Sequence, residues 1–161
     1  MSLVLFTCMV GLLIAPINVD FNSACISLLA VAIGSGAAGT LNMWYESDLD
    51  ALMSRTCLRP IPTGKVKKDQ ALYFGVILSA LSVSIIYFSA NLVSAFLLAS
   101  TIAFYFFVYT IWLKRKTPQN IVIGGAAGAL PPVIGWTIAT GSISVEPVSY
   151  THLTLPTRIF V

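Results

Sequence analysis

An all-α integral membrane protein is the fold class that the sequence predicts, on three observations. Of 161 residues, 57% are apolar and only 9% are charged, against about 25% charged in a typical globular domain. The mean hydropathy is +0.89. The charges are absent from four long runs, 1–19, 21–45, 70–113 and 117–145. A helix crossing the hydrocarbon core needs about 20 apolar residues, so these runs supply about five crossings, with 70–113 long enough for two. They are solidly apolar, whereas barrel strands would alternate apolar and polar over about ten residues.

The same composition excludes other classes. Disorder needs low hydrophobicity and high charge. A soluble enzyme would need a charged surface. The basic residues number 9 against 6 acidic ones, and their place between apolar runs argues against nucleic-acid binding. The single histidine is His152, which excludes bis-histidine haem ligation and argues against zinc. Cys8, Cys25 and Cys57 have no metal spacing, and Cys8 and Cys25 are expected to be small packing residues.

The first helix is expected over 3–19, closing near Pro16. It lacks the positive start of a signal peptide. A polar turn around Asn18, Asp20 and Asn22 leads to a second helix over 24–41, rich in Gly, Ala and Ser. Small residues let membrane helices approach closely. Residues 42–69 form the long polar stretch. The third and fourth helices are expected over 71–90 and 92–113, turning at Asn91. Lys114, Arg115 and Lys116 stop the fourth. The fifth is expected over 121–140, broken or kinked at Pro131 and Pro132.

Lys and Arg set the orientation. Arg55, Arg59, Lys65, Lys67 and Lys68 lie in one connection, and Lys114 to Lys116 in the next but one. The alternate turns near 20, 91 and 141 carry no Lys or Arg. The positive-inside rule therefore puts loops 42–69 and 114–120 in the cytoplasm.

The chemistry concentrates in Asn42-Met43-Trp44-Tyr45-Glu46-Ser47-Asp48-Leu49-Asp50. If the helix continues, Asn42, Glu46 and Asp50 share one face at a spacing of four. Crowded carboxylates repel, and a divalent cation relieves the repulsion. Hard oxygen ligands suit Mg²⁺, which bridges to substrate phosphates. A solvated acidic helix end is the alternative. Asp48 points elsewhere, as an Arg partner or a further ligand. Arg55 and Arg59 follow closely, and Arg forks match phosphate oxygens. Lys67 and Lys68 are read as topology signals alone. Tyr109, Lys114 and Arg115 make a second polar cluster at the same membrane edge. There Tyr109 is either a belt aromatic or a pocket hydroxyl.

The run from Asn42 to Val66, with Arg55-Thr56 and Arg59-Pro60-Ile61-Pro62-Thr63-Gly64, resembles the UbiA family of intramembrane prenyltransferases, and within it the branch that farnesylates haem. The stretches from Tyr109 to Asn120 and from Gly124 to Trp136 resemble the same branch, and the likeness covers about residues 2–146. The family's first acidic motif reads Asn-Asp-x-x-Asp-x-x-x-Asp. Asn42 and Asp50 match it, Met43 replaces the first Asp, and Glu46 stands at the middle acid. Asp48 resembles an extra acid of the haem branch.

The resemblance implies a UbiA-type bundle of nine transmembrane helices, about five of them present here, in a bacterial inner membrane. It implies transfer of farnesyl from farnesyl diphosphate to a vinyl group of haem B, giving haem O and diphosphate, with Mg²⁺ as cofactor. Asn42, Glu46 and Asp50 become metal and catalytic residues, with Lys114 a further catalytic contact. Asp48, Arg55, Arg59, Tyr109 and Arg115 become substrate contacts. Haem A synthase or terminal-oxidase assembly proteins are the implied protein partners. The family's second acidic motif and basic N-terminal lead-in have no counterpart in the chain, so the fragment is expected to be inactive. Residues 1–146 are expected to form a partial prenyltransferase domain. Residues 147–161 are expected to be a non-native tail, because Ser149 to Thr157 resembles translated adapter sequence. Two other readings stay open: a prenyltransferase acting on a quinone precursor or chlorophyllide, and a fragment of a non-enzymatic transporter.

Overall fold

The computed structural model describes residues 2–17, 19–113 and 128–144. Within them the chain forms six α-helices and one π-helical stretch: α1 (Ser2–Ile14), α2 (Phe21–Tyr45), α3 (Ser47–Leu52), α4 (Lys68–Ser89), α5 (Leu92–Ala103), the π-helical Phe104–Leu113, and α6 (Leu130–Thr140). α2 and α4 are long and apolar enough to cross a membrane.

Local chemistry sets the ends. α1 stops at Ile14, short of the expected 19, because Pro16 drives the residue before it out of helical geometry. α2 starts three residues earlier than expected. The Asp20 carboxylate accepts from the backbone N–H of Asn22 at 3.2 Å and of Ser23 at 3.4 Å, which satisfies two otherwise unpaired donors. Asn91 caps α5 in the same way, accepting from the Ser94 N–H at 2.8 Å. Pro131 and Pro132 lie at the start of α6, where a missing N–H costs nothing. The expected break is thus a helix beginning. Residues 121–127 of the expected fifth helix lie outside the described residues. Gly141 ends α6 at φ +69, a conformation that favours glycine.

Two helix pairs organise the bundle. α2 packs along α4 and α1 along α6, and α5 touches α2, α4 and α6. Glycines outside the small-residue runs read from the sequence make both pairings close. A Cβ on Gly11 would run into the Pro132 carbonyl, and one on Gly135 into the Cys8 carbonyl. In the other pair, Leu41 lies over Gly75, where a Cβ would come within 2.8 Å of its side chain. Cys8, Ala30, Val31, Ile86, Leu98 and Ile134 belong to the buried core. Cys25, expected to pack, is exposed.

Polar ties join the helices at the end near residues 20, 91 and 141. Asn91 Nδ2 donates to the Thr137 carbonyl at 2.7 Å. Ser94 Oγ donates to Asn91 Oδ1 at 2.8 Å and lies 3.1 Å from Thr137 Oγ1, a second hydroxyl in the same hydrogen-bonded group. Ser27 and Ser89 share a hydrogen bond of 3.1 Å between α2 and α4. In an apolar surrounding, buried hydroxyls and amides need such partners.

Candidate functional site

At the opposite end of α2 the backbone decides whether the predicted acidic face exists. Glu46 has φ −94 and ψ 7, the bridge conformation that often occurs at active sites. It separates α2 from α3. The i to i−4 bonding nevertheless runs through the junction. The Glu46 N–H donates to the Asn42 carbonyl at 3.0 Å, and the Asp50 N–H donates to the Glu46 carbonyl at 2.8 Å. Helical register is kept, so Asn42, Glu46 and Asp50 occupy successive turns of one face.

Burial separates the two acids of this row from Asp48. Glu46 is 5% exposed and Asp50 3%. Asp50 is neutralised by Arg59, whose Nη1 lies 2.7 Å from its Oδ2. A bond with both partners ionised is strong, and it offsets part of the cost of burying the carboxylate. Asn42 Oδ1 is buried with no hydrogen-bond partner among the described residues, as is Ser47 Oγ. An orphaned amide oxygen in line with two buried carboxylates is a hard donor set of the kind that suits Mg²⁺. Among the described residues, no three His, Cys, Asp or Glu side chains converge on one point.

The other predicted residues divide. Asp48 is exposed and pairs with Lys68 Nζ at 3.4 Å. Its partner is thus a lysine read as a topology signal, and it stands apart from the row. Arg55 is exposed and makes no ion pair among the described residues. Although nearer in sequence, it leaves Asp50 to Arg59, which the turn 56–59 carries back. Tyr109 lies in the π-helical stretch, with its side chain outside the described residues. Lys114 and Arg115 lie outside them altogether, as do loop 114–120 and the expected tail 147–161.

Thr56 is a site residue that pattern and charge did not single out. It is 4% exposed, and its Oγ1 donates to the Asp50 carbonyl at 3.1 Å. The Arg59 N–H donates to the Thr56 carbonyl at 3.0 Å. Thr56 therefore pins the arginine-bearing turn to the helix that carries the acid. Its signals in the sequence are its place between two arginines and within the stretch that resembles the UbiA family.

Below the row lies an apolar cavity of about 350 Å³, lined among others by Val31, Gly34, Ala38, Leu98, Ile102 and Pro131. Ala38 is one helical turn before Asn42. The α2 stripe that lines the cavity therefore runs on into the acidic row. Trp44 and Phe106, with ring centroids 6.2 Å apart, join α2 to the π-helical stretch near that junction.

An all-α fold with membrane-length helices, two buried acids with a partly exposed arginine beside them, and an apolar cavity lined by the preceding turns of the same helix defines a membrane-type protein with an amphipathic site. The chain belongs to the UbiA prenyltransferase family, whose profile matches residues 4–159. It is 71% identical over 150 residues to a protein of Pelagibacter ubique named protoheme IX farnesyltransferase, covering 93% of this chain and 50% of that one. An Ehrlichia ruminantium protein of the same name is 59% identical over 146 residues, covering 91% of this chain and 50% of that protein. Protoheme IX farnesyltransferase 2 of Mesorhizobium japonicum is 57% identical over 148 residues, covering 92% and 47%. The chain spans about half the length of the curated relatives it matches. No solved structure matches it.

Proposed function

We propose that the chain is part of a protohaem IX farnesyltransferase of the bacterial inner membrane. The reaction takes farnesyl diphosphate, haem B and water to haem O and diphosphate. One observation carries the chemical reading: the α2 stripe passes from an apolar cavity into a row of Asn42, Glu46 and Asp50 with Arg59 beside it. An isoprenoid diphosphate has the same order of parts, a hydrocarbon chain and then a polyanion. The naming of several close relatives supports haem as the acceptor.

Asn42, Glu46 and Asp50 are the residues to hold Mg²⁺, with the orphaned Asn42 oxygen completing a hard oxygen set. When bound, the ion supplies positive charge to the diphosphate. Arg59 contacts the diphosphate oxygens, Arg55, Tyr109, Lys114 and Arg115 are further contacts, and Asp48, itself an anion, acts on the diphosphate only through a cation such as its partner Lys68. The allylic C–O bond breaks with its electron pair leaving on diphosphate, where the arginines stabilise the growing charge. The haem vinyl π-bond attacks the farnesyl carbon. Water adds to the carbocation so formed and loses a proton. The apolar lining of the cavity keeps water from the farnesyl cation before that attack.

The membrane reading places loops 42–69 and 114–120 on the cytoplasmic side, in a nine-helix bundle of which residues 1–146 supply the first part. Contact with haem A synthase or terminal-oxidase assembly proteins follows from the product. The test joins residues 1–146 to the half of the Pelagibacter relative that the chain does not match. Expression in bacteria lacking their own enzyme should restore haem O, read by extraction and chromatography. Farnesylation of a quinone precursor in its place would overturn the acceptor.

A further inference from the structure

The two members of the Asp50–Arg59 pair differ in how far they are enclosed. The Asp50 side chain is 5% exposed and the Arg59 side chain 36%. The acid is fixed on α3, while the guanidinium reaches it from a turn at the surface. That turn is well anchored. The Arg59 carbonyl accepts from the Thr63 N–H at 3.1 Å and from Thr63 Oγ1 at 2.9 Å. Thr56 ties the start of the turn to the Asp50 backbone at 3.1 Å. Arg59 therefore stays within reach of Asp50 while its side chain is free to turn outward.

We propose that Arg59 is the internal counter-ion of Asp50, and that it couples cation binding to diphosphate binding. This rests on the metal–diphosphate reading above. With no ligand bound, the guanidinium neutralises Asp50 and occupies Oδ2, so a divalent cation meets a row of reduced charge and a competing cation. A guanidinium and a divalent ion on the same carboxylate repel unless an anion lies between them. Diphosphate offers the fork a bidentate partner of higher charge than one carboxylate. Arg59 then turns to the diphosphate, and Asp50 is released to the cation. The cation is thus held tightly only when its diphosphate is present. Arg59 is in this respect a positioning residue that acts through Asp50.

The experiment measures Mn²⁺ binding by paramagnetic resonance on the full-length protein in lipid nanodiscs, with and without inorganic diphosphate. In the native protein, diphosphate should tighten Mn²⁺ binding. Arg59→Gln should bind Mn²⁺ alone about fivefold more tightly than native, the gain expected from releasing a partly exposed ion pair. It should also lose most of the tightening by diphosphate. A structural defect would weaken both and could not produce this opposite pair of effects. Arg59→Lys, which keeps charge without the fork, should fall between the two, and it carries the test if Arg59→Gln does not insert. Unchanged or weaker Mn²⁺ binding in both variants would overturn the proposal and show that Arg59 shares Asp50 with the cation. No Mn²⁺ binding by native or variant protein in either condition would overturn the metal reading itself, and the coupling with it.

Discussion

Gly11 and Gly135 approach each other's helix reciprocally: the first lies against the Pro132 carbonyl and the second against the Cys8 carbonyl. Each glycine thus makes room for the partner's backbone. α1 and α6, far apart in sequence, seat against each other through these two positions. Pro132 stands at the start of α6 and leaves its own carbonyl facing α1. Gly11→Ala and Gly135→Ala should each destabilise the protein by about 1–3 kcal/mol, because the obstacle is backbone and cannot swing aside. Thermal unfolding in nanodiscs would measure this, and an unchanged midpoint for both would show the pairing to be loose. Gly39→Ala is the control, since a Cβ there meets nothing within 4 Å.

The Asn91 network predicts a smaller loss. Asn91→Leu removes both the donor to the Thr137 carbonyl and the cap of α5. A loss of about 1 kcal/mol is expected, within the range found for interhelical hydrogen bonds in membranes. Asn91→Asp keeps the capping oxygen and should recover part of it. Equal stability of all three proteins would mean that water or lipid headgroups already serve these groups.

Asp50→Asn should lower haem O formation by about a hundredfold or more when carried in the chain completed to the length of its relatives, the scale of losing a preorganised charge contact. The protein should still insert, because Thr56 bonds the Asp50 backbone and not its side chain. Haem extraction gives the activity, and membrane fractionation gives the level of protein. Near-native haem O at limiting Mg²⁺ would remove Asp50 from the site.

Ser54 is exposed in the 42–69 loop. Ser54→Cys and Gln119→Cys, in a background without Cys8, Cys25 and Cys57, should react with a membrane-impermeant maleimide only in inverted vesicles. Labelling in intact cells at either site would reverse the orientation drawn from the basic loops.

The row Asn42, Glu46, Asp50 was legible because helical period is a local property. A spacing of four aligns side chains whatever the helix packs against, and it survives even the bridge conformation at Glu46. The identity of the ion pairs was not legible. Charge and proximity in sequence favoured Arg55 as readily as Arg59, but a turn reverses direction within a few residues and brings only one arginine back to the acid. Asp48 shows the same effect, since its partner Lys68 lies across the loop at the start of α4.

By itself the sequence determined the all-helical class, the order of apolar and polar segments, the site of the acidic row and the family, all consequences of composition, period and local motif. Tertiary structure alone decided the pairing of α1 with α6 and α2 with α4, the assignment of Arg59 to Asp50, the burial of Thr56 and the exposure of Cys25. Those depend on which surfaces meet after the chain folds back. Small side chains permit close approach at many positions, but only the completed packing selects the ones that are used.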